Sequence, residues 1–346
     1  MLTINYNVDN NLRGGLFLRT KIFELLRQHS NQYVSGEMIS KQLAVSRTAI
    51  WKHIQAIKQE GYLIESHPRK GYCLRQAPDL LLPGEVDFHL DTEWLGRNIS
   101  YFSSIGSTND EAKKLAGEGK PAGTIVLAEE QTAGRGRLAR KWVSPPGTGI
   151  WFSVILRPRF LPQEAPKFTL MAAVAVNRAI LNCTGVSSGI KWPNDIVYKN
   201  KKIAGILTEM NAEMDGINYI VLGIGINVNV QSSDLPEEIH SIATSLSMVK
   251  GSFLSRVNLL AEVLLQLERL YEEVCCDGFG RIFEEWRRMT VTLGQMVDVT
   301  MPERKFCGLA VDIDDAGALL VETDHGKESI LAGDVKIRPS EGGRVF

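Results

Sequence analysis

Cysteine is sparse in this 346-residue chain: five residues, at 73, 183, 275, 276 and 307, with no paired CxxC spacing. That excludes a disulfide scaffold and a cysteine-built zinc site, and reduced thiols are expected. Long hydrophobic runs are missing as well. No apolar stretch approaches the roughly 20 residues needed to cross a bilayer, so no membrane span is expected. The opening MLTINYNVDNNLRGG lacks a basic patch followed by an apolar core, so it reads as a frayed polar tail and not as a secretory leader. A cytoplasmic location follows. Neither an internal repeat nor a low-complexity segment is found. Charge of one sign is not in excess either, with 39 basic against 40 acidic residues. That balance hides an asymmetry: residues 1–78 hold 11 Lys+Arg against 5 Asp+Glu, leaving 28 against 35 for the rest. The first segment alone favours a polyanion.

The length suggests two or three domains. Joints are expected at QAPDLLLPGE (76–85), which two prolines bracket, and near Thr290–Gly294, where a helical pattern gives way to short alternating strands. The expected domains are therefore 1–78, 79–290 and 291–346. In the first, Ile22, Leu25 and Leu26 stand at helical spacing. Ser35 then caps a helix GEMISKQL with apolar Met38, Ile39 and Leu43. After a turn at Ala44–Val45, Ser46 caps a third helix whose Ile50, Ile54 and Ile57 face inward, leaving Arg47, Thr48, Trp51 and Lys52 on other faces. This is helix-turn-helix grammar over about 36–55, in which the second helix can lie in a major groove. The segment at about 62–74 reads as a hairpin with a basic tip, His67-Pro68-Arg69-Lys70-Gly71, suited to act as a wing on phosphates. Ser46, Arg47, Thr48, Trp51, Lys52, Arg69 and Lys70 are the expected DNA contacts. A three-helix protein-interaction domain is the competing reading.

In the middle segment a strand at 124–130 runs into QTAGRGRLARKW, and GIWFSVILRP returns as a second strand. Glycines there let backbone N–H groups approach a ligand, while guanidinium groups neutralise phosphate or carboxylate oxygens. By itself such a loop could equally be a flexible solvated segment or an RNA-binding patch. In GIKWPNDIVYKNKKIAGILTEM (189–210), a two-residue turn at Lys199-Asn200 would set Val197 opposite Lys202 and bring Asp195 to Lys202 as a diagonal neighbour. By itself this is as well explained by a surface ion pair. In YIVLGIGINVNV (219–230), Gly223 and Gly225 leave room for a ligand beside Asn227, or mark a bulge.

Taken together and in order, these motifs resemble the biotin protein ligase family: Ser107-Thr108-Asn109, Gln131, Gly134-Arg135-Gly136-Arg137 through Lys141-Trp142, Lys191 to Asp195, Lys202 to Leu207, and Gly223 to Asn227. The N-terminal domain extends the resemblance to the family's bifunctional ligase and repressor branch, over nearly the whole chain. The resemblance implies a multidomain α+β protein with an N-terminal winged helix-turn-helix, a central mixed or antiparallel sheet covered by helices, and a C-terminal SH3-like β-barrel. It implies biotin against Ser107, Thr108, Asn109, Gln131, Arg135, Gly136, Arg137, Lys202, Gly205 and Gly223, with Ser107, Thr108 and Gln131 on the ureido ring. ATP or adenylate is implied against Gly134, Arg137, Arg140, Trp142, Lys202 and Asn227. Arg137, Lys202 and Asp195 would be catalytic, with Asp195 positioning Lys202 or Mg²⁺; no metal site built by the protein alone is expected. Two departures stand out: Leu138-Ala139 where the family often has a glycine, and Val143 where a family member has Phe.

The implied reaction joins biotin and ATP into biotinyl-5′-AMP and pyrophosphate, then passes biotin to a lysine of a biotin carboxyl carrier protein. The implied partners are that acceptor, operator DNA, and a second copy in a homodimer promoted by biotinyl-5′-AMP. A lipoate or octanoyl ligase of related fold, a regulatory biotin sensor without catalysis, and a ligase without DNA binding are the alternatives. The GRGR, KWPND and KIAGIL set argues against the first, and the presence of both Arg137 and Lys202 against the second.

Overall fold

The computed structural model describes residues 13–59, 61–76, 78–214, 216–301 and 303–338, and the chain divides into two units between Leu80 and Leu81. The expected polar tail lies outside the described residues up to position 12, while Arg13–Gly15, its last part, open a helix.

In the first unit, helical spacing yields α1 (Arg13–Gln28), α2 (Gly36–Leu43) and α3 (Arg47–Gln59). Ser35 Oγ accepts from Met38 N at 3.0 Å and Ser46 Oγ from Ala49 N at 3.2 Å, so both expected caps satisfy first-turn N–H groups. Between them Ala44 takes a left-handed conformation (φ 53°), which makes the turn tight. Ile22, Leu26, Ile39, Ile50, Ile54 and Ile57 are buried together, each contributing about 1.5–3 kcal/mol of apolar burial. Met38 does not join them, being largely exposed. The hairpin follows as β1 (Leu63–His67) and β2 (Gly71–Gln76), and Val34 pairs with Tyr72 as a short third bridge.

The second unit begins with α4 (Pro83–His89), β3 (Asn98–Phe102), α5 (Thr108–Gly117), β4 (Thr124–Ala128), β5 (Gly149–Leu156) and α6 (Ala165–Thr184). Then come β6 (Gly189–Lys191), β7 (Asp195–Tyr198), β8 (Lys201–Glu213) and β9 (Gly216–Asn227), followed by α7 (Leu246–Lys250), α8 (Arg256–Asp277) and α9 (Gly280–Met289). Among the described residues, β3 to β9 form a seven-stranded sheet in the order β3-β4-β5-β9-β8-β7-β6, parallel only at β3/β4. Strand alternation sorts its two faces. Ile150, Phe152, Val154, Ile220, Leu222, Ile224 and Ile226 join the core with α6 and α8, while Ile155 and Val221 pack against Ala112 and Leu115 of α5. The second face is therefore the one that also carries Ser153, Gly223 and Gly225.

The C-terminal strands β10 (Met296–Thr300), β11 (Lys305–Ile313), β12 (Leu319–Thr323), β13 (Gly326–Ile330) and β14 (Asp334–Ile337) form an antiparallel sheet in the order β13-β12-β11-β10-β14. Among the described residues β10 is the central strand that joins the β11-β12-β13 meander to β14, and every pairing is antiparallel. Val297, Val299, Ala310, Leu319 and Val321 belong to the same buried cluster as α6 and α8. Trp192 stitches the two sheets: its backbone N donates to Thr292 Oγ1 (2.9 Å) and its Nε1 to Gly317 O (3.1 Å). The 76–85 joint is anchored to the second unit, where Leu81 N donates to Glu129 Oε1 at 2.7 Å.

Candidate functional site

The cleft arises where the sheet's second face runs out of side chains. Across four adjacent strands, pairing sets Trp151 opposite Gly225, Gly225 opposite Gly205, and Gly205 opposite Asp195, so one row reads Trp, Gly, Gly, Asp. The next row sets Ser153 opposite Gly223 and Gly223 opposite Leu207. Two glycines side by side make a trough, but the chain itself fills part of it. A Cβ on Gly225 would meet the Trp142 indole at 2.6 Å, and one on Gly223 would meet Asn109 Oδ1 at 2.0 Å. The space expected for a ligand beside these glycines is thus first taken by Trp142 and Asn109.

One end of the cleft is a hydrogen-bonding cage. Gln131 Oε1 accepts from Thr108 N (2.9 Å) and Thr108 Oγ1 (3.1 Å), and its Nε2 donates to Ser144 Oγ at 3.1 Å. Ser153 Oγ donates to Asn109 Oδ1 at 2.6 Å, and Asn109 Nδ2 donates to Glu209 Oε2 at 2.8 Å. Ser107 caps α5, so the positive end of that helix opens onto the same place. The other end is cationic. Lys199 and Asn200 both have positive φ and form the expected two-residue turn, and Val197 pairs with Lys202. A bulge between Ile196 and Val197 shifts the register, and Lys202 Nζ reaches Asp195 Oδ1 at 2.6 Å. The ammonium also lies 5.0 Å from the centre of the Trp142 ring. Both members of the pair are less than a third exposed, which sets them apart from a solvated surface pair.

Over the cleft folds the loop 134–142. Arg135 bridges Lys141, Gly136 N donates to Arg140 O (2.7 Å) and Trp142 N to Gly134 O (2.9 Å), making the loop a small hairpin. At its tip Leu138 (φ 55°) and Ala139 (φ 56°) are both left-handed, so the residues standing where the family often has glycine carry backbone strain. Arg140 clamps the loop to the C-terminal sheet, donating to Asp334 Oδ1 (3.2 Å) and Oδ2 (2.6 Å). Hydrogen bonding from Arg140 holds the Asp334 carboxyl below the usual carboxylate range. Val143 packs with Trp142 against Trp151, Val230 and Leu235.

The cleft brings together Ser107, Thr108, Asn109, Gln131, Arg135, Gly136, Trp142, Lys202, Gly205 and Gly223. Gly134 adjoins it, against Gln131 and Ser144. Arg137 does not line it: the guanidinium reaches Asn194 Oδ1 and Gly333 O, both at 3.3 Å, beside a neighbouring groove with Trp192 and Pro193. Burial lowers its pKa, against the pull of Asp195 and Asp334. Asn227 is 4% exposed, and an Nδ2 hydrogen is committed to Thr244 O at 3.0 Å. Phe152, Asn194, Ile206, Leu207, Ile224 and Gly225 line the cleft and were not among the expected site residues, although all but Phe152 belong to motif runs that were. Only the strand register, which sets Phe152 opposite Ile224, could have placed it.

In the first unit, a groove between α3 and the hairpin holds Arg47, Trp51 and Arg69 together with Gln55 and Lys58. These last two follow Trp51 by one and two helical turns, a spacing visible in the sequence. Trp51 is 53% exposed, an unusual position for a large apolar ring. His67 Nδ1 accepts from Arg69 N and Lys70 N, both at 3.2 Å, and so shapes the basic tip. Among the described residues no helix is long and apolar enough to cross a membrane.

Residues 101–227 match the Biotin/lipoate A/B protein ligase family, residues 18–73 an HTH domain, and residues 292–338 the Biotin protein ligase C terminal domain. The chain is 42% identical over 320 residues to the Bacillus subtilis (strain 168) bifunctional ligase/repressor BirA, covering 92% of this chain and 98% of that one. It is 29% identical over 312 residues to the Escherichia coli (strain K12) protein of the same name, covering 90% and 95%. Among solved structures, the biotin protein ligase from Aquifex aeolicus in complex with biotin and ATP matches with a TM-score of 0.61 and 30% identity, covering 70% of this chain and all (100%) of that one. With a ligase-family match over the unit that carries the cleft, an HTH match over the other, and similarity along almost the whole length to a bifunctional ligase/repressor, the chain belongs to the bifunctional ligase/repressor family of biotin protein ligases.

Proposed function

We propose that this chain activates biotin with ATP in the cleft, transfers it to a lysine of a biotin carboxyl carrier protein, and represses transcription from operator DNA when acceptor is scarce. The observation that carries the reading is the polarity of the cleft: a neutral hydrogen-bonding cage at Thr108 and Gln131, and Lys202 at the other end. A urea-headed carboxylic acid fits that order. The cage and the α5 N-terminus would hold the ureido group, and Lys202 would hold the carboxylate.

A carboxylate oxygen of biotin then attacks the α-phosphorus of ATP, the bond to pyrophosphate breaks, and the mixed anhydride biotinyl-5′-AMP forms. Both reactants are anionic, so Lys202 offsets their repulsion, and catalysis is positioning and electrostatics with no covalent enzyme intermediate. The amine of the acceptor lysine next attacks the activated carbonyl, forming an amide and releasing AMP and a proton. Mg²⁺ bound by nucleotide phosphates needs only one or two protein carboxylates, and Asp195 is the carboxylate beside Lys202 that fits this use. Bound there, the ion would neutralise phosphate charge. Arg137, Arg140, Gly134 and Trp142 would meet the nucleotide once the loop rearranges around it, and Asn227 would support that wall. The test is incubation with biotin, ATP, Mg²⁺ and a carrier domain, followed by mass spectrometry. Biotinyl-5′-AMP and a biotinylated lysine are expected; a lipoyl product, or no adenylate, would overturn the assignment.

Arg137→Gly removes the loop's hydrogen bonds to Asn194 and Gly333 and is expected to let biotinyl-5′-AMP escape. Its readout is biotin on bystander proteins, at least tenfold above the parent if retention weakens by about 1.4 kcal/mol. Unchanged retention would show that Arg137 does not hold the loop.

In the first unit, α3 and the basic hairpin would meet one operator half-site, and a homodimer would match a palindrome. Biotinyl-5′-AMP would promote that dimer more strongly than biotin alone, which sedimentation with each ligand tests. Arg47→Ala or Lys52→Ala is expected to weaken operator binding and to lower the salt slope by about 1 for each phosphate no longer neutralised, with ligation unchanged. An unchanged slope and affinity in both variants would remove α3 from the interface.

A further inference from the structure

Asp110, in the first turn of α5, is the residue that the cleft chemistry leaves without a role. Its carboxylate accepts from Arg135 in the ligand loop and pairs with Lys113 Nζ at 3.1 Å. Lys113 also reaches Glu209 of β8 at 2.7 Å, and Glu209 in turn holds Asn109. Burial pushes the Asp110 carboxyl up, but hydrogen bonds from Lys113 and Arg135 outweigh it and hold it below the usual carboxylate range. Asp110 therefore stays ionised around neutral pH, and the latch with it.

The loop needs holding. Its tip carries two left-handed non-glycine residues, Leu138 and Ala139, and Leu138 is an apolar side chain left exposed. Arg135 to Asp110 and Arg140 to Asp334 stand on the two sides of that tip, one on α5 and one on the C-terminal sheet. Arg135 and Gly136 line the cleft, so whatever fixes Arg135 fixes part of the wall over the ligand.

We propose that Asp110 is a positioning residue that acts through Arg135 as an ionic latch, holding the loop over biotinyl-5′-AMP and setting how fast the intermediate escapes. The inference rests on the proposed ligase function. It predicts a selective effect, because without Asp110 the tie of Lys113 to Glu209 remains, and with it the contact between α5 and β8. It also predicts that salt weakens retention, since Arg135 and Asp110 are both about half exposed, with side-chain accessibilities of 44% and 51%.

The experiment loads the full-length protein with labelled biotin, ATP and Mg²⁺ and follows release of labelled biotinyl-5′-AMP into an unlabelled chase. In Asp110→Asn, release is expected to be about three- to fivefold faster at low salt, the range of a single exposed ion pair. The difference should vanish at about 1 M salt, where the Debye length is only about 3 Å. Asp110→Glu, which keeps the charge, should stay near the parent rate, and Arg135→Gln should match Asp110→Asn with no further gain in the double variant. The rate of adenylate formation with saturating substrates is unchanged in Asp110→Asn. Release at the parent rate, a difference that persists at high salt, or effects of the two substitutions that multiply would each overturn the latch. Failure of the parent protein to form adenylate would instead overturn the ligase function, and the latch would fall with it.

Discussion

Lys202→Ala is expected to slow biotinyl-5′-AMP formation by about 10²–10³, the loss typical of removing one preorganised charge-stabilising group. The lysine lines the cleft, where the hairpin of β7 and β8 holds it, Asp195 pairs with it at 2.6 Å, and the Trp142 ring faces it. Because the side chain is polar and lies outside the core, thermal unfolding should be little changed. Pyrophosphate release at saturating ATP, read beside a thermal melt, checks both halves. A variant that forms adenylate within tenfold of the parent would mean that the carboxylate end lies elsewhere. Lys202→Arg is expected to recover only part of the rate, since a forked guanidinium does not occupy the position of a compact ammonium.

Arg256→Met is expected to destabilise the ligase unit by about 3–5 kcal/mol, which places it among severe single substitutions. The Arg256 side chain is 0% exposed and donates from Nη1 to Glu129 Oε2 (2.8 Å) and Gly149 O (3.0 Å). The other Glu129 oxygen accepts from Leu81 N, so among the described residues removing the arginine leaves a buried carboxylate held by the Leu81 N–H without its cation. Replacing both charges, as in Arg256→Met with Glu129→Leu, should restore much of the loss, offset by Leu81 N losing its acceptor at roughly 1–3 kcal/mol. Urea unfolding of parent, single and double variants is the measurement. A single variant losing less than about 1 kcal/mol would show that water already reaches this pair.

The helix-turn-helix was legible because each of its signals is local. Ser35 and Ser46 cap within three residues, and Ile50, Ile54 and Ile57 repeat at helical spacing. The β7/β8 hairpin was legible for the same reason: Lys199-Asn200 fixes a register within a few residues. The bulge between Ile196 and Val197 was not, because no local signal marks where an extra residue enters a strand. The Trp-Gly-Gly-Asp row could not be read either. It joins residues 151, 225, 205 and 195, from four strands whose order does not follow the chain.

The caps, the hairpins and the runs of polar and cationic motif residues were legible in the sequence, since local hydrogen bonding and periodic burial act before any long-range contact forms. Tertiary structure alone decided which of those residues share a cleft. Arg137 and Asn227 stand in motif runs, yet packing turns the first toward Asn194 and Gly333 and commits an amide hydrogen of the second to Thr244. Asp110 carries no motif signal, and while Lys113 meets it at helical i,i+3 spacing within α5, Arg135 meets it only because the fold brings the loop beside that helix. The physical reason is range: a cap or a turn is settled within about four residues, whereas the direction of a long charged side chain is settled by whatever opposite charge the fold brings near it.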